Sequence, residues 1–231
     1  MALFYQPDFT AASTFLDAEE SRHLAKVLRM SNGQQIEVTD GKGKLYTCEI
    51  KEANQKKTIV DVLGTESLEP SKCYKHIAIA PTKNLDRIEW FVEKAVEFGI
   101  DEISFVLCQN SERRVLKTER IFRKAVSAMK QSGNLFLPKI NELKKFNDIL
   151  SSTEEAKFIA YVDFDNQTKL ESILENSSKN IVLIGPEGDF TQDEVSIAMD
   201  SGFKKVSLGN SRLRTETAGI AAIHILNLFC K

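Results

Sequence analysis

The 231-residue sequence has little of what specialised protein chemistry usually requires. Its four cysteines, Cys48, Cys73, Cys108 and Cys230, are scattered without the spacing of a metal or redox site, and its only histidines stand at 23, 76 and 224. A zinc module or a dithiol centre is therefore not expected; free thiols and no bound metal are. His224 falls on an apolar helical stretch and reads as a packed or interface residue rather than a ligand. No apolar run approaches the roughly 20 residues of a membrane-spanning helix. Met1-Ala2-Leu3-Phe4-Tyr5-Gln6 lacks the basic segment and apolar core of a secretory signal, so a cytoplasmic protein is the expectation. Neither Gly-x-Gly-x-x-Gly nor Gly-Lys-Ser/Thr occurs, which leaves a dinucleotide or ATP site without local support. No internal repeat or low-complexity tract is present.

What is there suffices for one large or two modest cores: 42% of the residues are hydrophobic. The first seventy residues carry short β-forming segments, Ile36 to Thr39, Lys44 to Ile50 and Thr58 to Leu63, separated by Asn32-Gly33, Asp40-Gly41-Lys42-Gly43 and a Lys/Asn/Gln-rich turn. They predict a small β-barrel or sheet. One helix precedes it, with Asp17-x-x-Glu20 as its cap and Leu24, Val27 and Leu28 facing inward. Arg22, Lys26 and Arg29 fall at i, i+4 and i+7, on an outward basic face. A boundary is expected near Glu69-Pro70-Ser71. Beyond it apolar strands alternate with helices: Ile77 to Ala80; a helix with Ile88, Phe91, Val92, Ala95 and Phe98 at core spacing, stopped by Gly99; Ile103 to Leu107; a helix from Thr118 to Gln131; a weaker segment around Pro138 to Leu150; Phe158 to Val162; and two terminal strand-helix units. This order predicts an α/β domain with a parallel sheet covered on both faces.

A net charge of −2 does not by itself announce a nucleic-acid binder. The distribution says more, because Arg113 to Lys130 holds seven basic residues (Arg113, Arg114, Lys117, Arg120, Arg123, Lys124 and Lys130) against the single acidic Glu119. Acidic residues gather elsewhere, at Glu19-Glu20 and from Asp163 to Glu175. A solvated helix face would also explain the basic run.

The last fifty residues contain the two stretches around which the chain is organised. Ile181-Val182-Leu183-Ile184 is continuously apolar, as in a central strand of a parallel sheet, and leads into Gly185-Pro186-Glu187-Gly188-Asp189-Phe190. Thr191-x-x-Glu194 then has capping-box spacing and opens a helix ending near Gly202. The plan repeats with the strand Lys205 to Leu208, the polar turn from Gly209 to Arg214, and a helix from about Thr215. Two polar loops thus leave two strand ends side by side, the place where open α/β sheets bind ligands. As local pattern, both could equally be ordinary strand-to-helix turns.

Ile-Gly-Pro-Glu-Gly-Asp-Phe paired with Leu-Gly-x-x-x-Leu-Arg-Thr-Glu-Thr-Ala resembles the signature of the RsmE family, ribosomal RNA uridine-N3 methyltransferases of the knotted SPOUT class. The resemblance extends to Arg22-His23-Leu24, Val27-Leu28-Arg29, Lys83 through Gly99, Glu112-Arg113 and Gln131-Ser132-Gly133. Asp189 departs from the family's usual second glycine, Arg114 from a common serine, and Asn134 from a frequent arginine. The resemblance implies a PUA-like RNA-binding domain over 1–70 and a methyltransferase domain with a trefoil knot over 71–231. It also implies a homodimer, a substrate in small-subunit ribosomal RNA, and S-adenosylmethionine as cofactor. Expected at the cofactor are Leu183, Ile184, Gly185, Pro186, Glu187, Gly188, Leu208, Gly209, Leu213, Arg214, Thr215 and Ala218; expected at the RNA are Arg22, His23, Lys26, Arg29, Lys83, Arg113, Arg114, Arg120 and Lys124.

Methylation of uridine N3 requires removing a proton or stabilising the resulting anion. Arg214 stays charged in proteins and suits the anion or a phosphate. Glu187 and Glu216 are the acceptors that the two loops offer, with Glu216 favoured, although its place also fits a helix-start residue. Two other classes are compatible with the residues: a non-catalytic RNA-binding or assembly factor, and an α/β enzyme acting on a small molecule.

Overall fold

The structure is a computed structural model and describes residues 1–162, 168–174 and 178–229; Cys230 and, from the acidic tract, Asp163, Asp165 and Glu175 lie outside the described residues. The chain forms two compact units, one of residues 1–70 and 129–137, the other of 71–128 and 138–231.

In the first unit β1 (Leu3–Tyr5) runs parallel to β2 (Gln35–Thr39), which continues antiparallel through β3 (Lys44–Glu52) to β4 (Ile59–Ser67). Alternation puts Ile36 and Val38, then Tyr46, Cys48 and Ile50, on one face, where they meet Phe4, Phe9, Leu16, Leu24 and Val60. The Asp40–Gly43 turn is tied by Asp40 Oδ1, which accepts from the Lys42 and Lys44 amides at 2.7 and 3.2 Å. Gly43 has φ +100°, and a Cβ there would stand 2.6 Å from the ring of Phe136. Its amide donates to Leu135 O, and Lys42 bridges to Phe136; the 129–137 stretch thus packs with a unit from which the sequence reading separated it.

Helix α1 (Ala18–Arg22) starts as expected, with Asp17 accepting from the Glu20 amide at 2.9 Å. The inward placement of Val27 and Leu28 is corrected: they are 63% and 44% exposed, and only Leu24 is buried. After one α-helical turn the backbone widens into a π-helical segment, His23–Leu28, and ends at Arg29 in the left-handed conformation, φ 54°. Widened turns break the 3.6-residue spacing on which the inward assignment rested.

The second unit is built on six parallel strands in the order β10-β8-β9-β5-β6-β7: β5 (Tyr74–Ile79), β6 (Glu102–Leu107), β7 (Lys139–Lys145), β8 (Ala156–Ala160), β9 (Lys179–Ile184) and β10 (Lys204–Val206). The weak segment near Pro138 resolves into β7 and the short α4 (Phe146–Leu150). Ala78, Ala80, Val106, Ile181 and Leu183 pack on one face with α4 and α6 (Gln192–Asp200). The opposite face meets α2 (Leu85–Glu97) and α7 (Thr215–Phe229), so tightly that a Cβ on Gly219 of α7 would lie 2.5 Å from Phe91 of α2. Helices α3 (Thr118–Ser132) and α5 (Leu170–Ile173) complete the described elements. No helix among the described residues is long and apolar enough to cross a membrane.

The free-thiol expectation holds for Cys48 and Cys108, both buried, whose burial pushes their pKa values up, that of Cys48 to about 11. It is corrected at Cys73, which is disulfide-bonded. Sequence spacing carries no information on a pairing that tertiary approach decides.

Candidate functional site

Because all six strands run the same way, the loops after β5, β6, β9 and β10 gather at one edge of the sheet. The loop after β9 is held from several directions. Asp189 N donates to Pro186 O at 2.9 Å, closing the turn; Asn110 Nδ2, from the loop after β6, donates to Gly188 O and Asp189 O at 3.2 and 3.1 Å. Thr191 and Glu194 form the expected capping box at the start of α6, and the second oxygen of Glu194 accepts from the Gln109 amide at 2.8 Å. Thr215, at the start of α7, donates its hydroxyl to Gly185 O at 3.0 Å and so joins the two loops.

Between them lies a cavity of about 720 Å³, within the range of small-molecule sites. Ile184, Gly185, Pro186, Glu187, Leu208, Gly209, Leu213, Arg214, Thr215 and Ala218 line it. Leu183 lies in the apolar core beneath, and Gly188 is an exposed turn residue packed against Asn110. Gly209 has φ +131°, a conformation nearly closed to side-chain-bearing residues. The same wall holds Arg212, one of the charged residues of the second loop, and Arg87, Tyr161, Val162, Lys169 and Asp189, which the sequence reading missed. Arg87 sits on α2, and nothing in its local pattern distinguishes it from a solvated helix residue.

Glu216, though next to Thr215, does not line the cavity. It is buried at the start of α7, with Oε1 3.9 Å from Arg87 Nε and Oε2 without a hydrogen-bond partner among the described residues. Glu187 is exposed in the wall and accepts from the Lys83 amide at 3.0 Å. Arg214 is exposed in the wall as well.

One other polar cluster occupies the opposite, amino-terminal ends of the strands. His76 Nδ1 lies 2.5 Å from Glu154 Oε1, and its Nε2 is 2.8 Å from Ser104 Oγ. Glu102 accepts from Tyr74 Oη at 2.6 Å, from Lys139 Nζ at 3.0 Å and from Asn141 Nδ2. Burial opposes ionisation of Glu102, but the Tyr74 hydrogen bond, the neighbouring His76, Lys139 and Asn141 hold its pKa down at about 2. Atoms of His76, Glu102 and Glu154 lie within 4.8 Å of one another, a spacing a metal could use. Each of the three already has hydrogen-bonding partners, one of them the Lys139 ammonium.

The chain matches the model of an RNA methyltransferase domain over residues 69–227 and that of an RNA methyltransferase PUA domain over 16–63. It is 30% identical to the ribosomal RNA small subunit methyltransferase E of Mycobacterium bovis over 237 residues, covering 96% of this chain and 89% of that protein. The chain belongs to this methyltransferase family. Among solved structures, a probable rRNA-methyltransferase from Porphyromonas gingivalis is 40% identical with a TM-score of 0.92, covering 100% of this chain and 98% of that one. The family's ribosomal RNA small subunit methyltransferase E from Neisseria gonorrhoeae, bound to S-adenosyl methionine, is 28% identical with a TM-score of 0.88, covering 97% and 95%. The family pairs an N-terminal PUA-like domain with an α/β domain, as the two units of this chain do.

The basic residues expected at RNA divide by surroundings. In the first unit Arg22, Lys26 and Arg29 are exposed, while His23 packs edge-on to Phe4. In the second unit Arg113 donates to the carbonyls of Thr82 and Lys83, fastening the loop after β5. Lys83 Nζ pairs with Glu112 at 2.8 Å, Lys124 with Glu93 at 2.5 Å, and Arg120 with Glu89. Arg114 is exposed.

Proposed function

We propose that this protein transfers a methyl group from S-adenosylmethionine to N3 of a uridine in small-subunit ribosomal RNA. The observation that carries the reading is the cavity formed by the Gly185–Asp189 and Ser207–Thr215 loops, in a chain whose family includes a structure bound to that cofactor. The residues fit such a group. Ile184, Pro186, Leu208, Leu213 and Ala218 offer apolar walls for an adenine and a methionine chain, and Gly185 and Gly209 bring side-chain-free backbone to the wall, where a ligand can approach closely. No phosphate needs cradling, which agrees with the missing nucleotide fingerprints.

When bound, S-adenosylmethionine supplies a methyl carried on a sulfonium. This chain's residues must orient the uridine and manage the proton of N3, which is protonated at neutral pH. Arg214, exposed in the wall, is placed to stabilise negative charge spread over the uridine carbonyls. Glu187 is better placed than Glu216 to take the proton, because it lines the cavity whereas Glu216 is buried beside Arg87. Glu216 is the positioning residue in this reading: its carboxylate steers the Arg87 guanidinium at the wall. The trefoil threading belongs to the same reading and is supported by β9 lying between β8 and β5 in the sheet. So do the homodimer, through the apolar α7, and a cytoplasmic site of action.

The test is calorimetry with S-adenosylhomocysteine beside nucleoside mass spectrometry of small-subunit RNA incubated with the protein and S-adenosylmethionine. Saturable cofactor binding and new 3-methyluridine are expected. RNA binding with neither would sink the enzyme reading in favour of an assembly factor.

A further inference from the structure

Asp189 combines three features that are each unfavourable in isolation. Its backbone has φ 60°, the left-handed region that costs a side-chain-bearing residue energy and that glycine enters freely. Its carboxylate is partly withdrawn from water, and burial pushes its pKa up against the Phe190 and Val162 amides and the more distant Arg212. No ion pair formed by the described residues includes it. Backbone strain that the surroundings hold in place gathers at functional sites.

The carboxylate is nonetheless fixed. Oδ1 accepts from the Phe190 amide at 2.8 Å and Oδ2 from the Val162 amide at 3.4 Å, while Asn110 holds the Asp189 carbonyl from behind. It stands over Gly185, where a Cβ would approach Oδ1 to 3.1 Å, and it faces the cavity. The other carboxylate of that wall, Glu187, is exposed to solvent, so Asp189 supplies the less screened negative charge.

From this we infer that Asp189 is a specificity-determining residue that favours the cationic sulfonium form of the cofactor over the neutral thioether left after transfer. The inference rests on the proposed cofactor reading and deepens it: a fixed anion in the wall attracts the substrate form and does nothing for the product form. Product release is thereby favoured after each turnover.

The experiment compares the wild-type chain with Asp189→Asn and Asp189→Gly, both compatible with the left-handed backbone. Calorimetry measures S-adenosylmethionine, S-adenosylhomocysteine and an analogue with an ammonium in place of the sulfonium. Loss of roughly tenfold in affinity for the two cationic ligands, with the thioether within about twofold, is expected of both variants. An equal loss for all three would make Asp189 a holder of the loop or of a shared part of the cofactor and overturn the inference. Unchanged affinities would overturn it as well. Failure of the wild-type chain to bind any of the three would instead bring down the cofactor reading itself, and this inference with it.

Discussion

At the scale of single residues, the wall of the cavity separates backbone roles from side-chain roles. Gly209 is there for its backbone: φ is +131°, and a Cβ would meet nothing within 4 Å, so a side chain would strain the turn and project into open space. Gly209→Val should cost about 1–3 kcal/mol of local strain and reduce S-adenosylhomocysteine affinity at least tenfold with the circular dichroism spectrum intact. Wild-type affinity by calorimetry would remove Gly209 from the site. Arg214 is there for its charge. Arg214→Ala should slow single-turnover methylation about a hundredfold or more at saturating cofactor, the scale of losing a preorganised donor, while cofactor affinity changes far less. Lysine should rescue only in part, having the charge without the planar fork. Near-normal turnover of the alanine variant would end the catalytic assignment.

Among the elements, the amino-terminal ends of β5, β6 and β7 are coupled by the buried network around Glu102, remote in sequence from the cofactor loops. Its effect on stability has a definite sign. The folded pKa of Glu102 lies below the ordinary glutamate value of 4.5, at about 2, so its contribution is present above about pH 4.5 and is lost as pH falls towards 2. Glu154 shifts in the same direction: burial, the largest single influence, works against its ionisation, but the hydrogen bond and charge of His76 together with further hydrogen bonds outweigh it. Glu102→Gln should lower stability at pH 7 by on the order of 3 kcal/mol and flatten the acid limb of the stability curve. Urea melts at pH 7 and pH 3.5 would show it; identical pH dependence in both proteins would mean that Glu102 gains nothing from its partners.

For the whole molecule, a net charge of −2 conceals a surface in which some basic residues are engaged and others free to meet a polyanion. Arg113, Arg120 and Lys124 already have carbonyl or carboxylate partners, whereas the exposed Arg22 and Lys26 are in no ion pair formed by the described residues. Reversing Arg22 and Lys26 to Glu should weaken binding to small-subunit RNA and flatten its log–log salt slope by nearly one unit per lost phosphate contact. Arg120→Ala should change that slope less, and cofactor affinity should stay constant in both. An unmoved RNA slope in the double reversal would give the first unit a different partner.

The sequence by itself determined the alternation of strands and helices after residue 70, the Asp17 and Thr191 caps and the two glycine-bearing loops, because each is written in residues close together along the chain. It also carried the likeness to the family. Tertiary structure decided what depends on distant segments meeting. It placed 129–137 with the first unit, widened the first helix so that Val27 and Leu28 face solvent, paired Cys73, and brought Arg87 to the cavity wall while burying Glu216 behind it. Periodicity specifies which face of a regular helix is apolar, but it holds only for the helix type assumed. Whether a polar side chain near a loop reaches the cavity depends on the packing of α2 against α7, which no local pattern encodes.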